Sequence, residues 1–218
     1  MNLSVESIVT GPFQENSYFF WHNDSFDTIL IDPGDDEDLI SKALDKKNLV
    51  PIAIVNTHAH LDHIGAIRQL KTKYDIPFYL HENESLILDS YEETCELFGM
   101  EKKQKPEVDI WLKDEVEITI NNFKLELIRA PGHTPGGICI KIENHLFVGD
   151  TIFKGSVGRT DLPGGNWSQL ESSLINLVQT IDPCIIVHSG HGPDTTFKNE
   201  IEKNPFLIAL NDKLNLQS

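Results

Sequence analysis

A histidine-rich heptapeptide, Thr57–His63 (THAHLDH), constrains the fold of this chain more than any other feature of its sequence. It follows the apolar run Ile52–Val55, which is typical of a buried strand, and residues with helical spacing come directly after it. In an extended segment the side chains at positions i and i+2 share a face, so His58 and His60 can reach one metal ion. The heptapeptide therefore predicts a metal site at a strand-to-helix junction.

Two further ligands of the heptapeptide, Asp62 and His63, lie where the chain turns into the helix, and they can point to a second metal close by. Imidazole and carboxylate groups without thiolate suit zinc, iron or manganese. A histidine-rich surface loop that binds nothing is the alternative interpretation. Four potential ligands within six residues favour the metal site.

Three later residues complete a binuclear set. His133 lies in a Pro-Gly turn after a strand that ends at Arg129, and Asp150 follows a strand that ends at Val148. His191 lies in a glycine-rich turn after another apolar run. Each sequence by itself is a common turn, but each follows a predicted strand. We therefore expect these residues to meet the heptapeptide at one rim of the sheets.

The pattern along the chain predicts two sets of strands, each interspersed with amphipathic helices. The first helix is expected to place Leu39, Ile40, Ala43 and Leu44 on one face, and further helices are expected from Glu82 to about Leu97, over Trp167–Thr180 and over Phe197–Lys203. Asn121-Asn122 and Glu143-Asn144 separate strand pairs in the second set, as in β-hairpins. These elements predict an α/β fold of four layers (αββα), with two mixed sheets face to face and helices outside. We expect residues 1–218 to form a single catalytic domain.

Charge and composition exclude several functional classes. The chain has 18 Lys and Arg against 34 Asp and Glu, a net charge of −16, so binding to nucleic acid or to an anionic membrane is not expected. No apolar stretch approaches the roughly 20 residues of a membrane span. Three widely spaced cysteines and an N-terminus without a basic region fit a cytoplasmic protein.

The order His-x-His-x-Asp-His, then His133, Gly-Asp150 and Gly-His191 resembles that of the metallo-β-lactamase superfamily. The segment Gly149–Gly165 is similar to the hydroxyacylglutathione hydrolase (glyoxalase II-like) branch. The resemblance implies that Asp150 bridges two divalent metals, with zinc expected first and iron or manganese as alternatives. It assigns the other ligands to a first metal (His58, His60, His133) and a second metal (Asp62, His63, His191).

The resemblance also implies a reaction. A hydroxide between the two metals would attack the carbonyl of a hydroxyacylglutathione-type thioester, with Asp62 and Asp150 holding it and relaying its proton. The classical β-lactamases have a cysteine at the position of Asp150, so an aspartate there argues against antibiotic hydrolysis. We expect a small-molecule thioester substrate and a monomer or homodimer.

One departure from the branch concerns substrate recognition. The chain resembles a short form that lacks the C-terminal helical extension with which full-length members grip glutathione. Lys154 and Arg159 are therefore the best candidates to bind a substrate carboxylate, although an ion pair between Arg159 and Asp161 is an equal alternative. Asp32 is a candidate to orient a ligand imidazole, or else a turn residue before Pro33.

Other functions share parts of these motifs. Persulfide dioxygenases of the superfamily use a single iron held by the counterparts of His58, His133 and Asp150, and they also contain the sequence Gly158-Arg159-Thr160-Asp161. A nuclease or phosphodiesterase and a non-catalytic metal-binding module are weaker alternatives. His188 is expected in the core or behind a ligand, and three further histidines match no motif position (His22, His81, His145).

Overall fold

The computed structural model describes residues 3–101 and 103–215. It divides into two compact units, the N-terminal unit (Met1–Lys113) and the C-terminal unit (Asp114–Ser218). Each unit contains a six-stranded sheet with both parallel and antiparallel neighbours, together with helices. The predicted two mixed sheets with helices are confirmed, and a single catalytic domain over residues 1–218 stays a prediction.

The sheet of the N-terminal unit follows chain order. Its strands are β1 (Leu3–Thr10), β2 (Glu15–His22), β3 (Asp27–Ile31), β4 (Val50–Val55), β5 (Phe78–His81) and β6 (Ile110–Leu112). The first three strands pair antiparallel, and β3 to β6 pair parallel. Because parallel neighbours need a crossover, helices occupy the connections between them.

The helices of this unit are α1 (Glu37–Lys47), α2 (Leu61–Ile64), α3 (Ile67–Tyr74), α4 (Ser85–Asp89) and α5 (Tyr91–Leu97), with a 3-10 turn at Glu82–Glu84. Ile40 and Leu44 of α1 are buried as the spacing predicts, whereas Leu39 is 45% exposed and does not belong to that face. The single helix expected from Glu82 to about Leu97 is instead three short segments.

The register between β3 and β4 brings the residues that follow these two strands together. Ile31 pairs with Val55 in this parallel pair, so the residues that follow both strands leave the sheet at the same edge. Ligand sites in α/β proteins lie outside the carboxyl ends of parallel strands for this reason. Asp32 follows one strand, and the heptapeptide begins two residues after the other.

The sheet of the C-terminal unit is mostly antiparallel. The strands of this unit are β7 (Glu117–Ile120), β8 (Phe123–Arg129), β9 (Ile138–Ile142), β10 (His145–Gly149), β11 (Ile152–Phe153), β12 (Ser156–Val157), β13 (Ile186–Ser189) and β14 (Thr195–Thr196). The sheet order is β14-β13-β10-β9-β8-β7, and β11 and β12 form a separate ribbon. Asn121 and Glu143 adopt positive φ in the two predicted hairpin turns, which are confirmed.

Three helices belong to this unit: α6 (Trp167–Thr180), α7 (Phe197–Lys203) and α8 (Pro205–Asn215). The Asn166 side chain caps α6 by accepting a hydrogen bond from the backbone of Gln169, which stabilises the first turn. The sequence analysis predicts the bounds of α6 and α7 but does not include α8. Within the described residues, no helix combines the length and the apolar character needed to cross a membrane.

The edge of the second sheet gathers the later ligands. Gly149 pairs with Ser189 in the parallel pair of β10 and β13, and Arg129 pairs with Ile138 across β8 and β9. Since β9 and β10 run antiparallel, the end of β8, the start of β9 and the ends of β10 and β13 lie along one edge. The loops that leave this edge contain His133, Asp150 and His191.

Candidate metal centre

Asp32 joins the end of β3 to the heptapeptide. Its Oδ1 accepts a hydrogen bond from the backbone N–H of Thr57 at 2.7 Å, and its Oδ2 accepts one from Thr57 Oγ1 at 2.5 Å. The side chain is buried, and the residue adopts positive φ before Pro33. The hypothesis that Asp32 lies beside the ligand loop, rather than serving as a turn residue alone, therefore agrees with the structure.

Hydrogen bonds at Nδ1 orient two of the histidines. His63 Nδ1 lies 3.1 Å from Asp32 Oδ2, and His58 Nδ1 lies 3.0 Å from Thr57 Oγ1, whose own proton goes to Asp32. When Nδ1 is the donor, Nε2 of the imidazole holds the lone pair that a metal needs. Both rings are therefore arranged as Nε2 ligands.

The histidines of the heptapeptide lie close to one another. The ring of His58 lies 4.9 Å from that of His60 and 4.1 Å from that of His63, measured between centroids. His63 Nε2 is 3.9 Å from Asp62 Oδ2. His58 and His63 are buried, whereas His60 and Asp62 are partly exposed. This unit thus brings together all four predicted ligands of the heptapeptide.

Two buried polar residues that the sequence analysis did not include support this loop from behind. Asn56 Nδ2 donates to the carbonyl oxygens of His58 and His63, at 3.3 and 2.8 Å. Glu84 Oε2 accepts a hydrogen bond from the backbone N–H of Ala59 at 2.8 Å. Asn56 immediately precedes the heptapeptide, which is a usable sequence signal, whereas Glu84 lies 25 residues downstream of its partner.

A third such residue is Glu15, at the start of β2. It is 1% exposed, its Oε1 lies 4.0 Å from His63 Nδ1, and its Oε2 accepts from the hydroxyls of Thr10 and Ser17. Burial raises the pKa of this carboxyl well above its ordinary value, and the neighbouring His63 opposes that rise. Its position at the start of the fully buried strand β2 became apparent only from the structure.

The ligand loops of the C-terminal unit are tied together by the backbone. The N–H of Gly190 donates to the carbonyl of Gly149 at 2.8 Å, which joins the loop after β13 to the end of β10. Gly158, after β12, approaches Asp150 so closely that a Cβ there would lie 1.9 Å from the Asp150 carbonyl oxygen. Only glycine fits at this contact.

One carboxylate oxygen lies near two imidazoles in this unit. Asp150 Oδ2 is 3.5 Å from His133 Nε2 and 3.7 Å from His191 Nε2. His133 Nδ1 donates to the carbonyl of Arg159 at 2.8 Å, which leaves Nε2 as the ligand atom. Two ligands of a tetrahedral ion with bonds of about 2.1 Å lie about 3.4 Å apart. The donor set therefore fits a divalent metal in both spacing and chemistry.

The predicted substrate-binding cations lie on the loop after Asp150. Lys154 is exposed in the turn between β11 and β12. Arg159 forms a bidentate ion pair with Asp161, with both N–O distances at 2.7 Å, and hydrogen bonds from its guanidinium lower the Asp161 pKa to about 2. The ion pair that was the alternative interpretation of Arg159 is thus present. Binding of substrate by Lys154 and Arg159 stays a prediction.

The histidines outside the motifs serve local structure. His188 is buried, with Nδ1 3.0 Å from Asp194 Oδ2 and Nε2 2.9 Å from His145 Nδ1. His81 is buried and accepts a hydrogen bond from the backbone of Asn83, so it caps the 3-10 turn. His22 is buried at the end of β2, and all three histidines without a motif position lie in strands.

Comparison with known proteins gives the family. The family model of the metallo-beta-lactamase superfamily matches residues 10–191. The chain is 40% identical to the probable metallo-hydrolase YqgX of Bacillus subtilis over 90% of this chain and 94% of YqgX. It is 34% identical to the hydroxyacylglutathione hydrolase GloC of Haemophilus influenzae over 94% of this chain and 98% of GloC.

Two solved structures share the fold of this chain at a similar sequence identity. The BLEG-1 B3 metallo-beta-lactamase superposes with a TM-score of 0.88 at 37% identity, covering 94% of this chain and 99% of BLEG-1. TTHA1623, solved in a di-iron-bound form, gives 0.84 at 35% identity, covering 93% of this chain and all of TTHA1623. With its metal-ligating residues, its two mixed sheets and these relatives, the chain belongs to the metallo-β-lactamase superfamily.

Proposed function

We propose that this protein is a metal-dependent thioester hydrolase with a binuclear centre. The proposed first metal is held by His58, His60 and His133, the second by Asp62, His63 and His191, and Asp150 is shared. Support comes from the imidazole and carboxylate chemistry of the donors and from their order along the chain. TTHA1623, which binds two irons, is a relative with the same fold.

The observation that carries the proposal is the position of Asp150. Its Oδ2 lies 3.5 Å from His133 Nε2 and 3.7 Å from His191 Nε2, and each pair of atoms is at a separation that suits two ligands of one ion. The proposed first metal includes His133 and the proposed second includes His191. A carboxylate between one ligand of each metal is what a bridging role requires.

The chemistry follows from groups that the chain holds in place. Two divalent metals held by these residues would lower the pKa of a shared water towards about 7 and polarise a carbonyl oxygen. Asp62 and Asp150, both partly exposed, would orient the attacking water and accept its proton. Asp32, Thr57 and the Arg159 carbonyl hold the ligand rings at Nδ1, so that these rings need not reorganise.

A thioester is the proposed substrate class, of the hydroxyacylglutathione type. A thiolate is a good leaving group that needs no general acid, and none of the candidate ligands is a dedicated acid. GloC, the relative from Haemophilus influenzae, is a hydroxyacylglutathione hydrolase. Zinc is the proposed native metal, and the proposed partner is this small molecule alone, acted on by a monomer or homodimer in the cytoplasm.

The test combines metal counting with a substrate panel. Purified protein loaded with zinc, iron or manganese is assayed on 2-hydroxyacyl-glutathione, an acyl-coenzyme A, a carboxylate ester and a β-lactam. We expect thioester hydrolysis that scales with two metals per chain, and loss of this activity in Asp150→Asn. Oxygen consumption with glutathione persulfide by a one-iron protein, without thioester hydrolysis, would instead establish the dioxygenase alternative.

A further inference from the structure

Two buried carboxylates face the same edge of one ligand imidazole. Asp32 Oδ2 lies 3.1 Å from His63 Nδ1, within hydrogen-bond distance, and Glu15 Oε1 lies 4.0 Å from the same nitrogen. The side chains of Glu15 and Asp32 are 1% and 3% exposed, and that of His63 is fully buried. One hydrogen-bond acceptor is enough to orient an imidazole, so Glu15 requires a separate explanation.

The position of Glu15 is built into the N-terminal unit. Its Oε2 accepts from Thr10 Oγ1 at 2.9 Å and from Ser17 Oγ at 3.0 Å, so two hydroxyls from paired strands hold one end of the carboxylate. Ser17 Oγ also accepts a hydrogen bond from the backbone N–H of Gly34 at 3.0 Å. The carboxylate is thereby connected to the loop that follows Asp32.

Close packing around Gly34 reinforces this connection. A Cβ at Gly34 would lie 2.3 Å from Glu15 Oε2 and 1.8 Å from the carbonyl oxygen of Asp62. Gly34 is therefore packed closely against both the Glu15 carboxyl group and the backbone of Asp62. Through Gly34, the position of Glu15 is linked to the backbone that bears Asp62.

Folding by itself does not account for a carboxylate at this position. Strand β2 is buried along its whole length. Burial of an ionisable group is unfavourable, and hydrogen bonds compensate only part of the cost. A neutral residue would avoid that cost. Burial raises the pKa of the Glu15 carboxyl, but a cation bound by the ligand pair would favour its ionised form. A carboxylate behind a ligand imidazole in turn raises the basicity of the ring and favours the cation.

We propose that Glu15 is a positioning residue for the second metal, which holds Asp62 and His63 in place and adds a buried negative charge behind that ligand pair. Since Oε1 lies beyond hydrogen-bond distance of His63, Glu15 acts through charge and through Gly34 rather than as a second acceptor. This inference rests on the proposed binuclear centre. It concerns metal affinity, not a step of the reaction.

The test measures metal binding directly. Zn²⁺ is titrated into metal-free wild-type protein and Glu15→Gln in competition with a chromophoric chelator. We expect the variant to bind one ion with wild-type affinity and the other about 10- to 100-fold more weakly, the range found for residues behind metal ligands. Glu15→Asp, which keeps the charge, should recover part of the affinity.

Two controls make the result decisive. Glu200→Gln removes another fully buried carboxylate, in the C-terminal unit, whose hydrogen bonds go to no candidate ligand, and it should bind both ions as wild type does. If Glu15→Gln does not fold, Thr10→Val removes one of the two hydroxyls that hold Glu15 and should weaken one ion by a smaller factor.

The outcomes separate this inference from the proposed function. Wild-type affinity for both ions in folded Glu15→Gln would overturn the role of Glu15 while leaving the binuclear centre intact. A wild-type protein that binds fewer than two ions would overturn the proposed function itself. An equal loss of affinity for both ions would also contradict the inference, because Glu15 lies beside His63, a candidate ligand of the second metal only.

Discussion

The carbonyl oxygen of Asp150 occupies the space in which any residue other than glycine at position 158 would carry its Cβ, with a separation of 1.9 Å. The same Cβ would lie 3.2 Å from His133 Nδ1. Because the closer atom is backbone, it cannot rotate away as the end of a side chain could. The Gly158 contact therefore couples the loop after β12 to the position of Asp150, the proposed bridging carboxylate.

We expect Gly158→Ala to lower thioester hydrolysis on the order of 100-fold, since a shift of about 1 Å in a reacting group costs that much. Activity and metal content are measured together. Gly155→Asn is the matched control, because Gly155 has open space around its Cβ position and asparagine tolerates its φ of 77°. Near-equal effects of the two substitutions would contradict the steric explanation.

Removal of metal tests whether the ligand cluster stabilises the fold. An ion that binds only the folded state, and not the unfolded chain, raises the free energy of unfolding by about 2.7 kcal/mol at a concentration 100 times its dissociation constant. We expect chelator-treated protein to unfold at a lower temperature than the zinc-loaded protein, and excess zinc to restore the difference. Unchanged melting by differential scanning calorimetry would show that the cluster is not a strong metal site.

The ion pair between Arg159 and Asp161 is exposed, with both side chains at least 60% accessible. Exposed pairs contribute little to stability. We expect Arg159→Gln to leave the melting temperature unchanged and to raise KM several-fold for a thioester that carries carboxylates, but not for a neutral thioester. An equal change in KM for both substrates would argue against recognition of a substrate carboxylate by Arg159.

Glu200 anchors the loop that follows Asp150. Its carboxylate accepts hydrogen bonds from the Gly155 backbone, Thr195, Asn199 and Asn204, and these outweigh burial and lower its pKa. We expect Glu200→Gln to lower the free energy of unfolding by about 1–3 kcal/mol, as for hydrogen bonds to a charged group. Because the pKa is lowered, this contribution is present above the unfolded pKa of about 4.3 and is lost as the pH falls further.

His145 makes a second contribution that depends on pH. Burial lowers its pKa, and the adjacent His188 lowers it further. The folded state therefore favours neutral His145, so its stabilising contribution is present above the unfolded pKa of about 6.5 and is lost as the pH falls through the folded value. Urea unfolding of wild type and His145→Gln between pH 7.5 and 5 should give a shallower loss of stability for the variant. Parallel pH curves would contradict this role.

Local elements were largely accessible from sequence. The period of apolar residues predicts α6 over residues 167–180, and the asparagine-rich turn at 121–122 predicts the hairpin of β7 and β8. The boundaries differ where local rules compete with packing. The segment after Glu82, which is expected to be one helix, breaks at Ser90. This residue follows the short helix α4 and precedes α5.

The sequence by itself determined which ligand types are present and in what order, because imidazole and carboxylate groups near strand ends are visible one residue at a time. Only the tertiary structure decided what surrounds them. Glu84 bonds to Ala59 across 25 residues, and Asp32 bonds to Thr57 across the same interval. Such partners depend on which strands become parallel neighbours. The periodicity of a strand indicates which of its faces is buried, but not which strand lies beside it. Glu15 is the clearest case: in the sequence it is one of three polar residues that begin a strand, and in the folded chain it is a buried carboxyl group 4.0 Å from the candidate ligand His63.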